Sequence, residues 1–169
     1  MSERRKRYFL KEKEAKAILN RAAEKFKLDM MQVPRERMNL EVVEAHIGSV
    51  FLMDSKPFLL KSGNNVFPAL TNQKLLGLIP KVVVDMGAVP YVCKGADVMA
   101  PGIRRFEGEF CQGDTVLVVD EKHGKSLAVG EALHDSHEAK GMKQGAVVKN
   151  VHFVGDNLWN LMKQIVTKA

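Results

Sequence analysis

Residues 84–105 read VDMGAVPYVCKGADVMAPGIRR, and no single helix or strand accommodates them. Three glycines and two prolines divide a run that is otherwise rich in valine and alanine. Asp85 is placed to accept a hydrogen bond from a main-chain N–H two or three residues on, starting a short helix with Pro90 in its first turn. Gly95 ends that helix, because glycine adopts a left-handed backbone without Cβ strain. The following ADVMAPGI reads as a strand interrupted at Pro101–Gly102, where a lost donor and a missing Cβ permit a bulge or sharp bend. The predicted order is strand, short helix, glycine turn, bent strand. It leaves main chain without bulky side chains at Gly95, Ala96, Ala100 and Gly102, flanked by Lys94, Arg104 and Arg105. An exposed nucleotide can lie against backbone only where side chains are small, and its phosphates are held by cations and free N–H groups.

The segments around this stretch are regular. From Lys11 to Leu28, Ala15, Ile18, Leu19, Ala22, Ala23 and Phe26 fall at helical spacing, with Lys and Arg on the other faces. Pro34 then breaks the chain. Leu40–Val43, Val50–Met53 and Phe58–Leu60 read as short strands, with turns at Gly48–Ser49 and Asp54–Pro57, and Thr71 is the expected cap of a brief helix ending near Gly77. Beyond Leu78 the β-branched runs Lys81–Val84, Thr115–Val119, Ser126–Ala132 and Ala146–Val154 predict a small sheet or barrel. Asp156 is the expected cap of a last helix bearing Leu158, Leu161, Met162, Ile165 and Val166 on one face. The expected fold class is α+β, with residues 1–78 forming a helix-plus-sheet domain and residues 79–169 a small β-sheet or barrel with its closing helix.

Charge is distributed unevenly. Residues 1–28 hold ten Lys/Arg against four Glu, so the whole net charge of +6 lies at this end and the remainder balances. Such asymmetry points to a polyanionic partner or to a solubilising helix face, and charge alone does not separate them. No segment approaches the roughly 18 apolar residues of a membrane-spanning helix. With two cysteines, Cys93 and Cys111, a disulfide framework is not indicated; two buried thiols in a reducing cytoplasm are expected.

VVVDMGAVPYVCKGADVMAPGI resembles the signature of the PUA domain, and the later GAVVKNVHFVGDNLW resembles its closing strand and following helix. Together with VFPAL upstream and an N-terminal, pre-PUA segment of this size, the chain is similar to the malignant-T-cell-amplified-sequence family of translation factors and its archaeal relatives. The resemblance implies a pseudobarrel that binds structured RNA through its glycine turn and the strand that follows. The positions it carries over are Lys94, Gly95, Ala96, Asp97, Ala100, Pro101 and Gly102. Arg104 and Arg105 are added on charge and position, and Lys143 and Lys149 because their loop and strand should run alongside. The resemblance further implies work at the small ribosomal subunit in initiation or recycling, on tRNA or rRNA, in some cases with a translation-factor partner protein.

Each of these residues also has a plainer role. Gly95, Pro101 and Gly102 suffice as cap and bend, adjacent Arg104 and Arg105 on a strand point to opposite faces, and Asp97 is repulsive to phosphate and suits a bond to a loop N–H. His134, Asp135 and His137 lack further ligands at zinc-like spacing, so no metal or cofactor is expected. Nucleophile elbow, P-loop and dinucleotide fingerprint are all missing, so the expectation is a non-catalytic RNA-binding protein in the cytoplasm. A protein-interaction adaptor of the translation machinery, or an accessory subunit of an RNA-modifying enzyme, is the alternative.

Overall fold

The computed structural model describes residues 4–29 and 39–167. Pro34 lies outside them. The described residues form two sheets. The first is five-stranded in the order β1 (Lys6–Phe9), β2 (Leu40–Ala45), β3 (Gly48–Met53), β4 (Lys56–Ser62), β5 (Asn65–Pro68), antiparallel throughout. Helix α1 (Glu12–Lys25) follows β1, and Ala15, Leu19, Ala22 and Ala23 are its buried face. The basic run Lys6–Phe9 carries no strand pattern in the sequence, yet these residues pair with Glu41–Glu44 as an edge strand. Thr71 is not a cap. Asn72 caps α2 (Gln73–Leu76), its Oδ1 accepting the N–H of Leu75 at 3.0 Å.

The second sheet has six strands in the order β7 (Val98–Met99), β11 (Ala146–Phe153), β10 (Ser126–Ala132), β9 (Thr115–Asp120), β6 (Lys81–Val84), β8 (Ile103–Glu107). Strands β7 and β8 stand at opposite ends of that order, although only the 3-10 turn Ala100–Gly102 separates them in the chain. A connection of three residues cannot cross a flat six-stranded sheet, since neighbouring strands are about 4.8 Å apart. The sheet is therefore curled into a pseudobarrel, and the Pro101–Gly102 turn stands where its two ends meet. All pairs are antiparallel except β6 with β9, and the one-turn helix α4 (Ser136–Ala139) connects β10 to β11.

Alternation along the strands explains why β6 and β9 read as unbroken valine runs. Val82, Val84, Val116 and Val118 fill the barrel with Val92, Val98, Ala128 and Val148. Val83, Leu117, Val119 and Val129 point the other way, into a second core shared with the first sheet and with Leu158, Leu161, Met162 and Ile165 of α5 (Asn157–Thr167). A strand buried on both faces has no polar alternation to display. Burying each such side chain contributes about 1.5–3 kcal/mol, so the faces joined in the shared core hold the two sheets together. Asp156 caps α5 as expected, its Oδ1 accepting the N–H of Trp159 at 2.7 Å, while Oδ2 meets Nδ1 of the fully buried His152 at 2.8 Å. Burial opposes charge on this carboxylate, but the bonds from His152 and from the N–H groups of Trp159 and Phe153 prevail and hold it below the usual aspartate range. The cysteines depart from expectation. Both are free thiols, Cys111 is exposed, and Cys93 is half-buried, which pushes its thiol upward.

Candidate nucleic-acid interface

Asp85 ends β6 and initiates the turn that follows, its Oδ1 accepting the N–H of Ala88 at 2.8 Å. Helix α3 (Val89–Val92) is a single turn with Pro90 in it, and Gly95 follows at φ +96°. Two close approaches explain the glycines here. A Cβ on Gly95 would stand 2.9 Å from Cε1 of Phe153, and one on Gly102 would stand 3.2 Å from Cβ of Ala88. The N–H of Asp85 donates to the carbonyl of Gly102 at 2.9 Å, so the start of the helical turn and the Pro–Gly kink are fastened to each other. The strand expected to run bent through Pro101–Gly102 is instead divided: β7 pairs with β11, the 3-10 turn intervenes, and β8 pairs with β6.

Lys94, Ala96, Asp97 and Pro101 are exposed, and Gly95 and Gly102 are half-exposed. None of them belongs to the core shared with the first sheet. The ledge is thus open to solvent. Ala100 is not on it: its side chain joins the barrel core and its N–H donates to Gly145 O at 2.9 Å. Asp97 turns its carboxylate inward along the sheet, Oδ1 accepting the N–H of Asn150 at 3.0 Å. The N–H groups of Gly87 and Asp97 make no hydrogen bond among the described residues and stay available to an acceptor.

The cations divide into two groups. Lys94, Lys143 and Lys149 are exposed and hold no ion pair among the described residues. Lys143 is two residues before Gly145, whose carbonyl anchors Ala100, and Lys149 precedes Asn150 on β11, opposite Glu131 of β10. Arg104 and Arg105 are exposed but each faces a carboxylate, Glu121 at 3.2 Å and Glu107 at 3.3 Å. Together they border a shallow recess with Ile103, Ala139, Lys140 and Met142. At the N-terminal end several cations are tied within the fold: Arg7 to Glu41, Arg21 to the carbonyl of Asn64, and Lys27 to Asp114.

Two residues of this region escaped the sequence reading. Asn150 donates from Nδ2 to the carbonyls of Val92 at 3.0 Å and Ala96 at 3.1 Å, clamping both sides of the glycine turn. Tyr91 is 68% exposed on α3, three residues before Lys94. The signal for Tyr91 was its place beside Val92, which takes the buried side of the short helix; Asn150 gave no local signal.

A curled sheet with a helical turn, a left-handed glycine and a Pro–Gly closure defines a PUA domain, and residues 80–154 match that family's model. Residues 6–72 match a domain of unknown function. The chain belongs to the malignant-T-cell-amplified-sequence family of PUA-domain proteins. It is similar to an uncharacterized protein of Methanocaldococcus jannaschii, 38% identical over 159 residues and covering 92% of this chain and 96% of that one. Translation machinery-associated protein 20 of Saccharomyces cerevisiae is 27% identical over 118 residues, covering 66% of this chain and 65% of its own length. Among solved structures, a PUA-domain protein of Aeropyrum pernix crystallized with tartrate superposes with a TM-score of 0.85 at 27% identity, over 96% of this chain and 94% of that one.

Proposed function

We propose that this chain is a non-catalytic RNA-binding protein of the translation machinery that holds structured RNA, tRNA or small-subunit rRNA, against the ledge formed by Lys94–Asp97 and Pro101–Gly102. The observation that carries this reading is the ledge itself. Main chain with small side chains is solvent-exposed there, the N–H groups of Gly87 and Asp97 lack partners among the described residues, and Lys94, three residues before Asp97, holds no ion pair among them. Phosphate oxygens bind such N–H groups and lysines without regard to base identity, so the contacts favour shape over sequence. The name of the yeast relative, translation machinery-associated protein 20, supports the setting. Lys143 and Lys149 extend the cationic rim, and Arg104 and Arg105 contribute only where phosphate displaces their carboxylate partners. A step in initiation or recycling, at the small subunit and beside a partner protein, is the role this reading assigns, in the cytoplasm.

Filter binding of unmodified tRNA transcript and of small-subunit rRNA, across a salt series, tests it. Affinity should fall with a log–log slope of about −0.7 to −0.9 per neutralised phosphate, the range from single-stranded to duplex nucleic acid. A chain that ignores both RNAs but retains a protein partner is an adaptor, and one that modifies the transcript is an enzyme; either result overturns the reading.

A further inference from the structure

The first sheet treats its two edges differently. At the β5 edge Val66, Phe67 and Pro68 are buried, and Phe67 packs on His152 with ring centroids 5.6 Å apart. At the β1 edge all four residues Lys6–Phe9 are exposed, with Phe9 at 67%. The hydrogen-bond phase of β1 follows from its register. Phe9 faces Glu41, Tyr8 faces Val42 and Arg7 faces Val43, and the N–H of Leu10 donates to Leu40 O at 2.8 Å. In an antiparallel pair, residues that exchange bonds alternate with residues that do not. Leu10, Tyr8 and Lys6 therefore bond to β2, while Phe9 and Arg7 direct their N–H and C=O groups outward. No backbone bond of those two outward N–H groups is found among the described residues.

We propose that the β1 edge is a docking site for an extended acidic segment of a partner protein, which adds as a sixth strand to the first sheet. Three features select this occupant. The outward groups of Arg7 and Phe9 are N–H donors and C=O acceptors at a two-residue repeat, a pattern that a polypeptide strand satisfies and the acceptor-only phosphates of a nucleic acid do not. Arg4, Lys6 and Lys11 are exposed around it without ion pairs among the described residues, so acidic side chains on the added strand are favoured. A second copy of this chain would double the same cluster of cations along the shared edge, and like charges brought together across paired strands destabilise the pairing. Charges on an edge strand often serve only to keep it unpaired, but that device does not leave a phenylalanine two-thirds exposed beside open main-chain donors. An apolar residue of the partner strand covers Phe9. This site is separate from the ledge and does not depend on RNA binding there.

The test uses the full chain, isotopically labelled, and a synthetic twelve-residue peptide alternating Glu with Val or Ile, with a Lys-for-Glu version as control. Binding of the acidic peptide should slow amide exchange of Arg7 and Phe9 at least tenfold, while Tyr8, already in the ladder, changes little. The lysine peptide should leave both amides unchanged. F9P removes an outward N–H together with the exposed ring, leaves the bonds from β1 to β2 in place, and should keep the other β1 amides protected while weakening the acidic peptide at least tenfold. The wild-type exchange result stands by itself if that variant does not fold. No binding at millimolar peptide, or binding that leaves both amides unprotected, would overturn the proposal. So would amides already protected in the free chain, which would mean that a second copy occupies the edge. Equal protection by a uridine ten-mer that displaces the peptide would assign the edge to nucleic acid instead.

Discussion

Asn150 Nδ2 donates to Ala96 O at 3.1 Å, and the same amide group donates to Val92 O at 3.0 Å, so one side chain from β11 holds both ends of the glycine turn. Replacing Asn150 with Ala leaves these carbonyls without that donor. The expected cost is about 1–3 kcal/mol in a denaturant titration, and RNA affinity should fall because Lys94 and Ala96 lose their fixed position.

Gly95 and Gly130 should rank by the severity of their contacts. Gly95→Ala places a Cβ 2.9 Å from the Phe153 ring at a left-handed φ, with a backbone cost of about 1–2 kcal/mol plus displacement of that ring. Gly130→Ala places one 2.2 Å from Cγ1 of Val148 and 2.7 Å from the carbonyl of Lys149, inside the β10–β11 ladder. Thermal unfolding should show G130A as the more damaging change.

Much of this arrangement was legible in the sequence. Strands β6, β9, β10 and β11 and helices α1 and α5 declare themselves through β-branched runs and helical spacing, and Asp85, Pro90 and Gly95 act at the predicted points of the turn. The misses have physical causes. Lys6–Phe9 is an edge strand whose charged side chains suit solvent on both faces, so it shows no alternation. Thr71 and Asn72 are comparable caps, and only the geometry of the chain decides between neighbours. The role of Asn150 depends on carbonyls more than fifty residues away. Ala100 looked like part of a bare surface because a small side chain reads the same whether it admits a ligand or fits a packed turn.

Lysine and arginine at the site should separate in a salt series. Lys94→Ala should lower RNA affinity and reduce the magnitude of the salt slope by about 0.7, the value for one phosphate contact on a single strand. Arg104 and Arg105 each have a carboxylate partner, so their joint replacement by Ala should have a smaller effect on the slope than two unpaired lysines would. Unchanged affinity would remove the two arginines from the interface.

Tyr91 should contribute by stacking on an unpaired base. Tyr91→Ala is expected to cost about 1–3 kcal/mol of binding with the salt slope unchanged, and Tyr91→Phe to restore affinity. Fluorescence anisotropy with a labelled single-stranded RNA measures both quantities.

The Asp156 carboxyl lies below its ordinary range in the folded chain. It thus contributes stability that is fully present above the unfolded-state value of about 3.9 and is lost as pH falls through the folded-state value. Asp156→Asn should flatten this acid limb in urea titrations from pH 6 to pH 3. At neutral pH, Asp156→Ala should cost about 0.5–2 kcal/mol through the lost helix cap.

The most direct measurement is photo-crosslinking of a 4-thiouridine-substituted tRNA transcript to the intact chain, followed by peptide mass spectrometry. Cross-links within Tyr91–Gly102 are predicted, with weaker ones near Lys143 and Lys149. Cross-links confined to Arg4–Lys27, with the ledge untouched, would contradict the account.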